Sequence, residues 1–357
     1  MKAVVKRGNA LELDVNYADP TPGEGQVLVR TLACGICGSD LHALHHLDHM
    51  ADMSRRSGSL SNLDTKADMV FGHEFAFEVL DYGVNTARRL PVGTVCTSLP
   101  AAAGPQGMEL VGYSNRFPGG FSEMMVLQAD LLLPVPEGLP VDLAAMTEPF
   151  AVGEHAVARA RLDPRTVAMV IGCGPVGLAV IAALKLRGVG PIVAADLSAE
   201  RRKTAEAMGA DIVIDPAEGS PHDQWASLGV AQSLAEASVW AMTCKESRPA
   251  VVFECVGVPG MIQSLLENGP PGAQIVVVGV CMETDRFEPG IAINKQMGLD
   301  FVFGYSPEEF AGTLHNIADG KIAASTVLSG TVGLDGVAEA FRRLSSEPSL
   351  VKVLVKP

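Results

Sequence analysis

The sequence predicts an α/β protein in which a doubly wound parallel sheet is joined to a mostly β domain, and three observations carry that reading. The chain has 357 residues, too many for one ordinary core and well suited to two domains of the usual size. Residues 1–150 are rich in Gly, Pro and short β-type runs such as Gln26-Val27-Leu28-Val29-Arg30 and Leu131-Leu132-Leu133, with turn residues between them. From about Ala151 the pattern changes to strands of Val, Ile and Ala that alternate with longer helical segments, which is how a parallel sheet with helices on both faces is written.

Taken in order, residues 1–150 form the irregular β domain and residues 151–302 the parallel sheet, with strands expected at Val167–Ile171, Ile192–Ala195, 251–253 and 274–279. The long connection 216–249 is expected to hold an extra helix around 224–241. Residues 303–357 carry a helix-like stretch at 335–345 and a closing strand at 351–355, and are expected to return to the first domain.

Composition narrows the function. Apolar residues make up 48% and charged ones 19%, so there is material for two cores and no sign of disorder. Lys and Arg number 27 against 41 Asp and Glu; the net charge of -14 repels nucleic-acid phosphates and anionic lipid, so neither is expected as a partner. Charges at Lys6, Arg7, Glu12 and Asp14 interrupt any secretory apolar run near the start. Residues 166–184 are nineteen without a charge, long enough to suggest a membrane span, but the glycines and Pro175 inside them fit a strand, a turn and a helix instead. Seven thinly spread cysteines are the usage of a reducing compartment, so a cytoplasmic location is expected.

The expected strand Val167–Ile171 runs directly into Gly172-Cys-Gly174-Pro175-Val176-Gly177, the G-x-G-x-x-G turn of a Rossmann sheet, and residues 178–186 then read as a helix. The glycines permit a tight turn and close approach of backbone to a pyrophosphate, while the helix N-terminus offers amide donors and the positive end of its dipole. Nineteen residues after Gly177 the second strand ends at Asp196, where a carboxylate accepts hydrogen bonds from the adenosine ribose and repels a 2′-phosphate. NAD is therefore expected over NADP, although Arg201 and Arg202 nearby leave room for the latter.

The first domain contains Cys34-Gly-Ile-Cys37-Gly-Ser39-Asp40-Leu-His42. A bare C-x-x-C is either a redox pair or half of a four-cysteine zinc site, but no second C-x-x-C follows and the pair lies outside the βαβ region. Further on come Gly72-His73-Glu74 and Thr147-Glu148-Pro149. One thiolate, one imidazole and one or two carboxylates can build a tetrahedral zinc site with an open position for water or substrate.

With these motifs in view, the sequence resembles the zinc-containing medium-chain dehydrogenase/reductase superfamily of alcohol, sorbitol and threonine dehydrogenases, over essentially its whole length. The resemblance rests on 35–42, Gly72-His73-Glu74, Glu148-Pro149-Phe-Ala-Val-Gly-Glu-His155-Ala, the Gly172 motif, Phe253-Glu254-Cys255-Val256-Gly257 and Val277-Val278-Gly279-Val280, in that order and spacing. It implies a GroES-like catalytic domain beside the Rossmann domain, and transfer of hydride from an alcohol to NAD beside one zinc ion that acts as Lewis acid. It implies that Cys37 and His73 are zinc ligands, that Glu148 is the third ligand or holds the zinc-bound water, and that Glu74 swings in as a transient ligand. Ser39 matches the family's proton-accepting hydroxyl, with His42 either the next carrier or a plain surface residue, and Asp40 orients a ligand histidine. Cys255, Val256, Val278, Gly279 and Val280 lie where the resemblance puts the nicotinamide. Assembly as a homodimer or homotetramer is also implied.

Two departures stand out. The region where many relatives carry a structural zinc, about 91–121, has the single cysteine Cys96, so no structural zinc is expected. Thirty residues separate His42 from His73, an insertion that includes His45, His46, His49, Met50 and Met53 and is read as a cap on the substrate cleft or an oligomer contact. Gly304-Tyr305 stands where polyol enzymes commonly have Arg-Tyr, which argues against a sugar alcohol, while Tyr113, Phe117 and Phe121 suit a more apolar cleft for a secondary or aromatic alcohol. Two rival readings are a zinc-free quinone or enone reductase of the same superfamily and a non-catalytic NAD-binding scaffold; retention of the whole ligand set speaks against both.

Overall fold

Contacts within the computed structural model, which describes residues 1–58 and 63–357, divide the chain into two units. The first is Met1–Glu148 with Phe310–Gly320 and Leu328–Pro357, and the second is Pro149–Glu309 with Lys321–Val327. Residues 303–309 and 321–327, read from the sequence as part of the returning tail, thus cluster with the second unit, as do 149–150, read as the end of the first domain.

In the first unit one long strand, Gln26–Gly35, organises a seven-stranded sheet. It pairs antiparallel with Glu74–Tyr82, with Met124–Gln128 and, at its far end, with the C-terminal strand Lys352–Val355. The strand is far longer than its apolar run suggested, because the Cys34-Gly35 end is claimed by partners remote in sequence. The C-terminal tail also supplies the helix Val337–Ser346, which buries Val337, Ala340 and Phe341 at i, i+3 and i+4, the spacing of one helical face. The Phe341 ring meets Phe121 edge-on at 5.9 Å inside that core.

The expected insertion forms a helix, Gly38–Arg56, with a kink at His46 (φ -123°, ψ 22°). It buries Asp40, Ala43, Leu47 and Ala51 and leaves His42, His45, His46 and His49 exposed. Residues 59–62 of the insertion lie outside the described residues.

The second unit is a six-stranded parallel sheet in the order Ile212–Ile214, Ile192–Ala195, Val167–Ile171, Ala250–Glu254, Gln274–Val277, Gly298–Phe301. In chain order this is 3-2-1-4-5-6, so the order reverses beside Val167–Ile171 and opens a crevice at the strand ends. All five residues of Val167–Ile171 are buried, as a strand covered on both faces requires. The helix expected at 178–186 starts earlier, at Pro175, whose fixed φ suits a first helical position. The extra helix expected over 224–241 is two helices, Gln224–Ser227 and Leu234–Met242. The break falls at Gly229, which takes φ 77° while the next amide, Val230 N–H, donates to the Trp225 carbonyl at 2.9 Å, a glycine helix stop. Residues 166–184 are shared by a strand, a turn and a helix, and among the described residues no helix is long and apolar enough to cross a membrane.

Candidate metal centre and cofactor turn

Strand register assembles the metal donors. Gly35 pairs with Glu74 on one side and with Leu354 on the other, which carries Glu74 and Lys352, 278 residues apart, to the same end of the sheet. Lys352 Nζ donates to both Glu74 carboxylate oxygens at 2.7 Å and to the Ile36 carbonyl at 3.0 Å. Both side chains are 1% exposed, so each charge depends on the other. Burial pulls the Lys352 ammonium down, but Glu74, with help from Cys37 and Glu148, outweighs it and holds the pKa above its ordinary value. Gly35 makes room for this pair: a Cβ there would lie 1.9 Å from Glu74 Oε2.

The chain leaves that strand at Ile36 and turns into the helix Gly38–Arg56 with Cys37 as N-cap, in extended backbone (φ -91°, ψ 154°). Cys37 N–H donates to Asp40 Oδ2 at 3.0 Å, so the carboxylate three residues on fixes the turn that carries the thiol. Asp40 is fully buried, and its Oδ1 faces His73 Nδ1 at 3.4 Å. His73 Nδ1 is itself buried and makes no hydrogen bond among the described residues. An imidazole with one nitrogen turned to a carboxylate presents the other to an ion. Burial lowers the His73 pKa, yet the charge and contact of Asp40, with Cys37, more than reverse this and hold it well above the usual histidine value. This pocket thus favours positive charge.

One ligand atom each of Cys37, His73 and Glu74 lies within 4.8 Å of the other two, and they are the one such donor group among the described residues. A thiol, an imidazole and a carboxylate brought together beside a second carboxylate that faces the histidine are donors zinc takes, so the residues fit that ion. Glu148 is not in this trio; it is 9% exposed at the start of the helix Thr147–Ala158, near enough to Lys352 to add to its positive shift. His45, His46 and His49 belong to no such group. Ser39 lies two residues past Cys37, and its hydroxyl is 3.0 Å from the Tyr113 phenol, whereas His42 stands exposed on the helix, its pKa lowered by partial burial and by His46.

Two residues of this centre escaped the sequence reading. Lys352 entered it only as part of the closing strand 351–355, and Tyr113 as the lining of an apolar cleft. Tyr113 O–H lies 3.0 Å from both Ser39 Oγ and Asp40 Oδ1, and its ring packs 5.4 Å from that of His73. Burial, with the negative charge of Asp40 and Cys37, pushes the phenol well above its usual pKa, so it stays a neutral donor.

In the second unit the turn after Val167–Ile171 has the shape its glycines anticipate. Gly172 takes φ 92°, and a Cβ on Gly177 would lie 1.9 Å from the Gly172 carbonyl oxygen, so strand and helix approach only with glycine at 177. The helix Pro175–Leu186 begins at Gly174 with no side-chain cap, and a Cβ there would point into open space, which leaves the first turn, with Val176, open to an anion. Asp196 Oδ2 accepts from Cys173 N–H and Oδ1 from Ser198 N–H, both at 2.8 Å, so the carboxylate is tied to the glycine turn. Arg201 lies in the first turn of the following helix, Ala199–Met208, and Arg202 pairs with Asp215 at 2.9 Å.

Past the next two strands, Glu254 Oε1 accepts from Val256 and Gly257 N–H at 2.7 and 2.8 Å, while its carbonyl accepts from Val278 and Gly279 at 2.9 Å. One buried glutamate thereby ties together the loops holding Cys255, Val256, Gly279 and Val280; burial raises its pKa and the two amides partly offset this. Val256 and Val280 remain 42% and 49% exposed at this strand-end edge, an apolar rim that suits a flat ring.

The chain is similar to known proteins over its length. Residues 23–137 match the alcohol dehydrogenase GroES-like domain, and residues 175–319 match the zinc-binding dehydrogenase family. The (R,R)-butanediol dehydrogenase of Bacillus subtilis is 30% identical over 348 residues, covering 95% of this chain and 94% of the relative. A sorbitol dehydrogenase of the same organism is 26% identical over 372 residues, covering 100% and 97%. Among solved structures, 2R,3R-butanediol dehydrogenase from B. subtilis superimposes with a TM-score of 0.77 at 28% identity, covering 100% of this chain and 99% of the other. A zinc-type donor trio and a dinucleotide-binding sheet in one chain define a metal- and nicotinamide-dependent oxidoreductase. The chain belongs to the zinc-containing medium-chain dehydrogenase superfamily, and within it is an NAD-dependent alcohol or polyol dehydrogenase.

Proposed function

We propose that the enzyme oxidises a small secondary alcohol bearing a neighbouring hydroxyl to the hydroxyketone, with NAD as hydride acceptor. The observation that carries the reaction type is the trio of Cys37, His73 and Glu74, the last two buried, with a carboxylate turned to the histidine. The substrate class is supported by the relatives: 2R,3R-butanediol and sorbitol both present a secondary carbinol beside another hydroxyl. A simple secondary or aromatic alcohol is the other outcome of the test.

Cys37 and His73 would hold zinc, with Glu148 completing the set directly or through water. Bound there, zinc supplies Lewis-acid polarisation of the alcohol oxygen. Gly172, Gly174, Pro175, Val176 and Gly177 would cradle the NAD pyrophosphate, Asp196 the adenosine ribose with Arg201 beside it, and Cys255, Val256, Val278, Gly279 and Val280 the nicotinamide. Ser39 accepts the alcohol proton as the carbinol hydrogen leaves as hydride, and His42 is the next carrier toward solvent. Lys352 holds Glu74 by both oxygens, so a part for Glu74 as transient ligand requires that ion pair to loosen first.

The cytoplasm is the expected setting, since seven cysteines spread thinly over a long chain are the usage of a reducing compartment. We also place this chain in a homodimer or homotetramer: Gly298–Phe301 is a sheet-edge strand, with Phe301 and the nearby Phe303 66% and 90% exposed.

Screening vicinal diols, polyols, simple secondary alcohols and aromatic alcohols by NADH absorbance, with zinc quantified in the same preparation, tests the proposal. The highest kcat/KM should fall on a vicinal secondary diol, with about one zinc per chain essential for activity. Preference for a simple or aromatic alcohol would reject the diol, and full turnover in zinc-free protein would reject the metal chemistry.

A further inference from the structure

We propose that Tyr113 is the positioning residue that ties the metal donors to the proton-accepting hydroxyl, through hydrogen bonds to Asp40 and Ser39. The inference rests on the reading of Cys37 and His73 as metal ligands and of Ser39 as proton acceptor.

The argument is one of counting protons. A phenol has one hydrogen to give, and Tyr113 has two oxygen partners, each at 3.0 Å. A carboxylate only accepts, so the phenol hydrogen belongs to Asp40 Oδ1. The Ser39 contact is then completed by the serine, whose hydroxyl donates to the phenol oxygen. That commitment holds the Ser39 oxygen with a lone pair toward substrate; when Ser39 takes up the alcohol proton it releases its own hydrogen toward His42, so the hydroxyl stays neutral and the contact to Tyr113 is remade by the proton received. A serine without the phenol is free to rotate, with its lone pairs aimed correctly only part of the time.

The other arm reaches the metal donors. The same Asp40 oxygen faces His73 Nδ1 at 3.4 Å, and the second Asp40 oxygen accepts from Cys37 N–H at 3.0 Å. Fixing Asp40 therefore fixes the histidine ring and the turn that carries the thiol. The Tyr113 ring is wedged against His73 and Phe71, at 5.4 and 5.7 Å between centroids. Gly112, just before it, packs so closely on Gly72 that a Cβ would lie 2.8 Å from the Gly72 carbonyl oxygen. The backbone on both sides is thus held close enough for one phenol to reach both groups.

Tyr113→Phe removes the hydroxyl and keeps the ring. Zinc affinity, measured by competition with a chromophoric chelator and without turnover, is expected to fall about tenfold, the low end for loss of a partner behind a metal ligand. The kcat is expected to fall roughly tenfold while KM and NAD affinity stay within about twofold. In a Ser39→Ala background, assayed with zinc saturating, the same change is expected to leave kcat unaltered, because the hydroxyl it aims is gone. Unchanged zinc affinity and kcat, or a kcat loss that persists undiminished without Ser39, overturns the role. Cys37→Ala serves as the control: retention of zinc there overturns the metal-site reading itself, whereas zinc loss there with wild-type zinc affinity and kcat in Tyr113→Phe overturns Tyr113 alone. Circular dichroism and NAD titration confirm that each variant is folded.

Discussion

The two candidate binding regions of this enzyme are built by opposite routes. The cofactor turn is local: Gly172, Gly174 and Gly177 lie within six residues, and Asp196 arrives one helix and one strand later. Its key contacts, such as Asp196 to Cys173 N–H at 2.8 Å, are mostly side chain to backbone. The metal centre is non-local: Cys37, His73 and Lys352 come from the start, the first third and the end of the chain, and meet because three strands pair in one register. It also contains a buried ion pair, Glu74 with Lys352, whose two members depend on each other across the length of the chain. Damage at the cofactor turn should therefore weaken one ligand, whereas damage at the metal centre should spread to catalysis and folding.

The sharpest contrast is expected from Ser39→Ala, which should lower turnover by roughly 10²–10⁴ with NAD affinity nearly unchanged. Steady-state kinetics beside a cofactor titration checks this, and a normal rate at neutral pH would remove Ser39 from the scheme. Next comes Lys352→Met, which leaves the Glu74 carboxylate buried without its cation. It should cost about 3–5 kcal/mol of stability in urea unfolding, the scale of a broken buried pair. An unchanged midpoint would show that Glu74 is not anchored as described. The smallest effect is expected from Asp196→Ala, which removes hydrogen bonds to the ribose worth about 1.5–3 kcal/mol, or roughly 10–100-fold in NAD affinity. Fluorescence titration with both cofactors should show NADP catching up with NAD, and an unaltered preference would remove Asp196 from the discrimination.

Legibility in the sequence follows the same division. The parallel sheet was readable because each strand is a short apolar run bounded by turn residues, and the glycine turn because its chemistry is contiguous. Cys37, His73 and Glu74 stood out as candidate donors through their motifs, and the fold brings the three together. Lys352 was not, since a lysine inside Val-Lys-Val-Leu-Val looks like an outward-facing strand position until the register puts Glu74 opposite. Tyr113 was misjudged for a related reason: an aromatic ring in an irregular segment reads as apolar lining, and only the fold reveals that its hydroxyl is spent on Asp40 and Ser39. Gly229 is a different case, a helix stop that local chemistry already signalled within a stretch read as one helix.

Zinc K-edge X-ray absorption on the purified enzyme addresses the metal centre directly. One sulfur at about 2.3 Å with nitrogen and oxygen neighbours at about 2.0–2.2 Å, the sulfur lost in Cys37→Ala, is the expected shell. A shell with no sulfur, or with four, would contradict a centre built on Cys37 and His73.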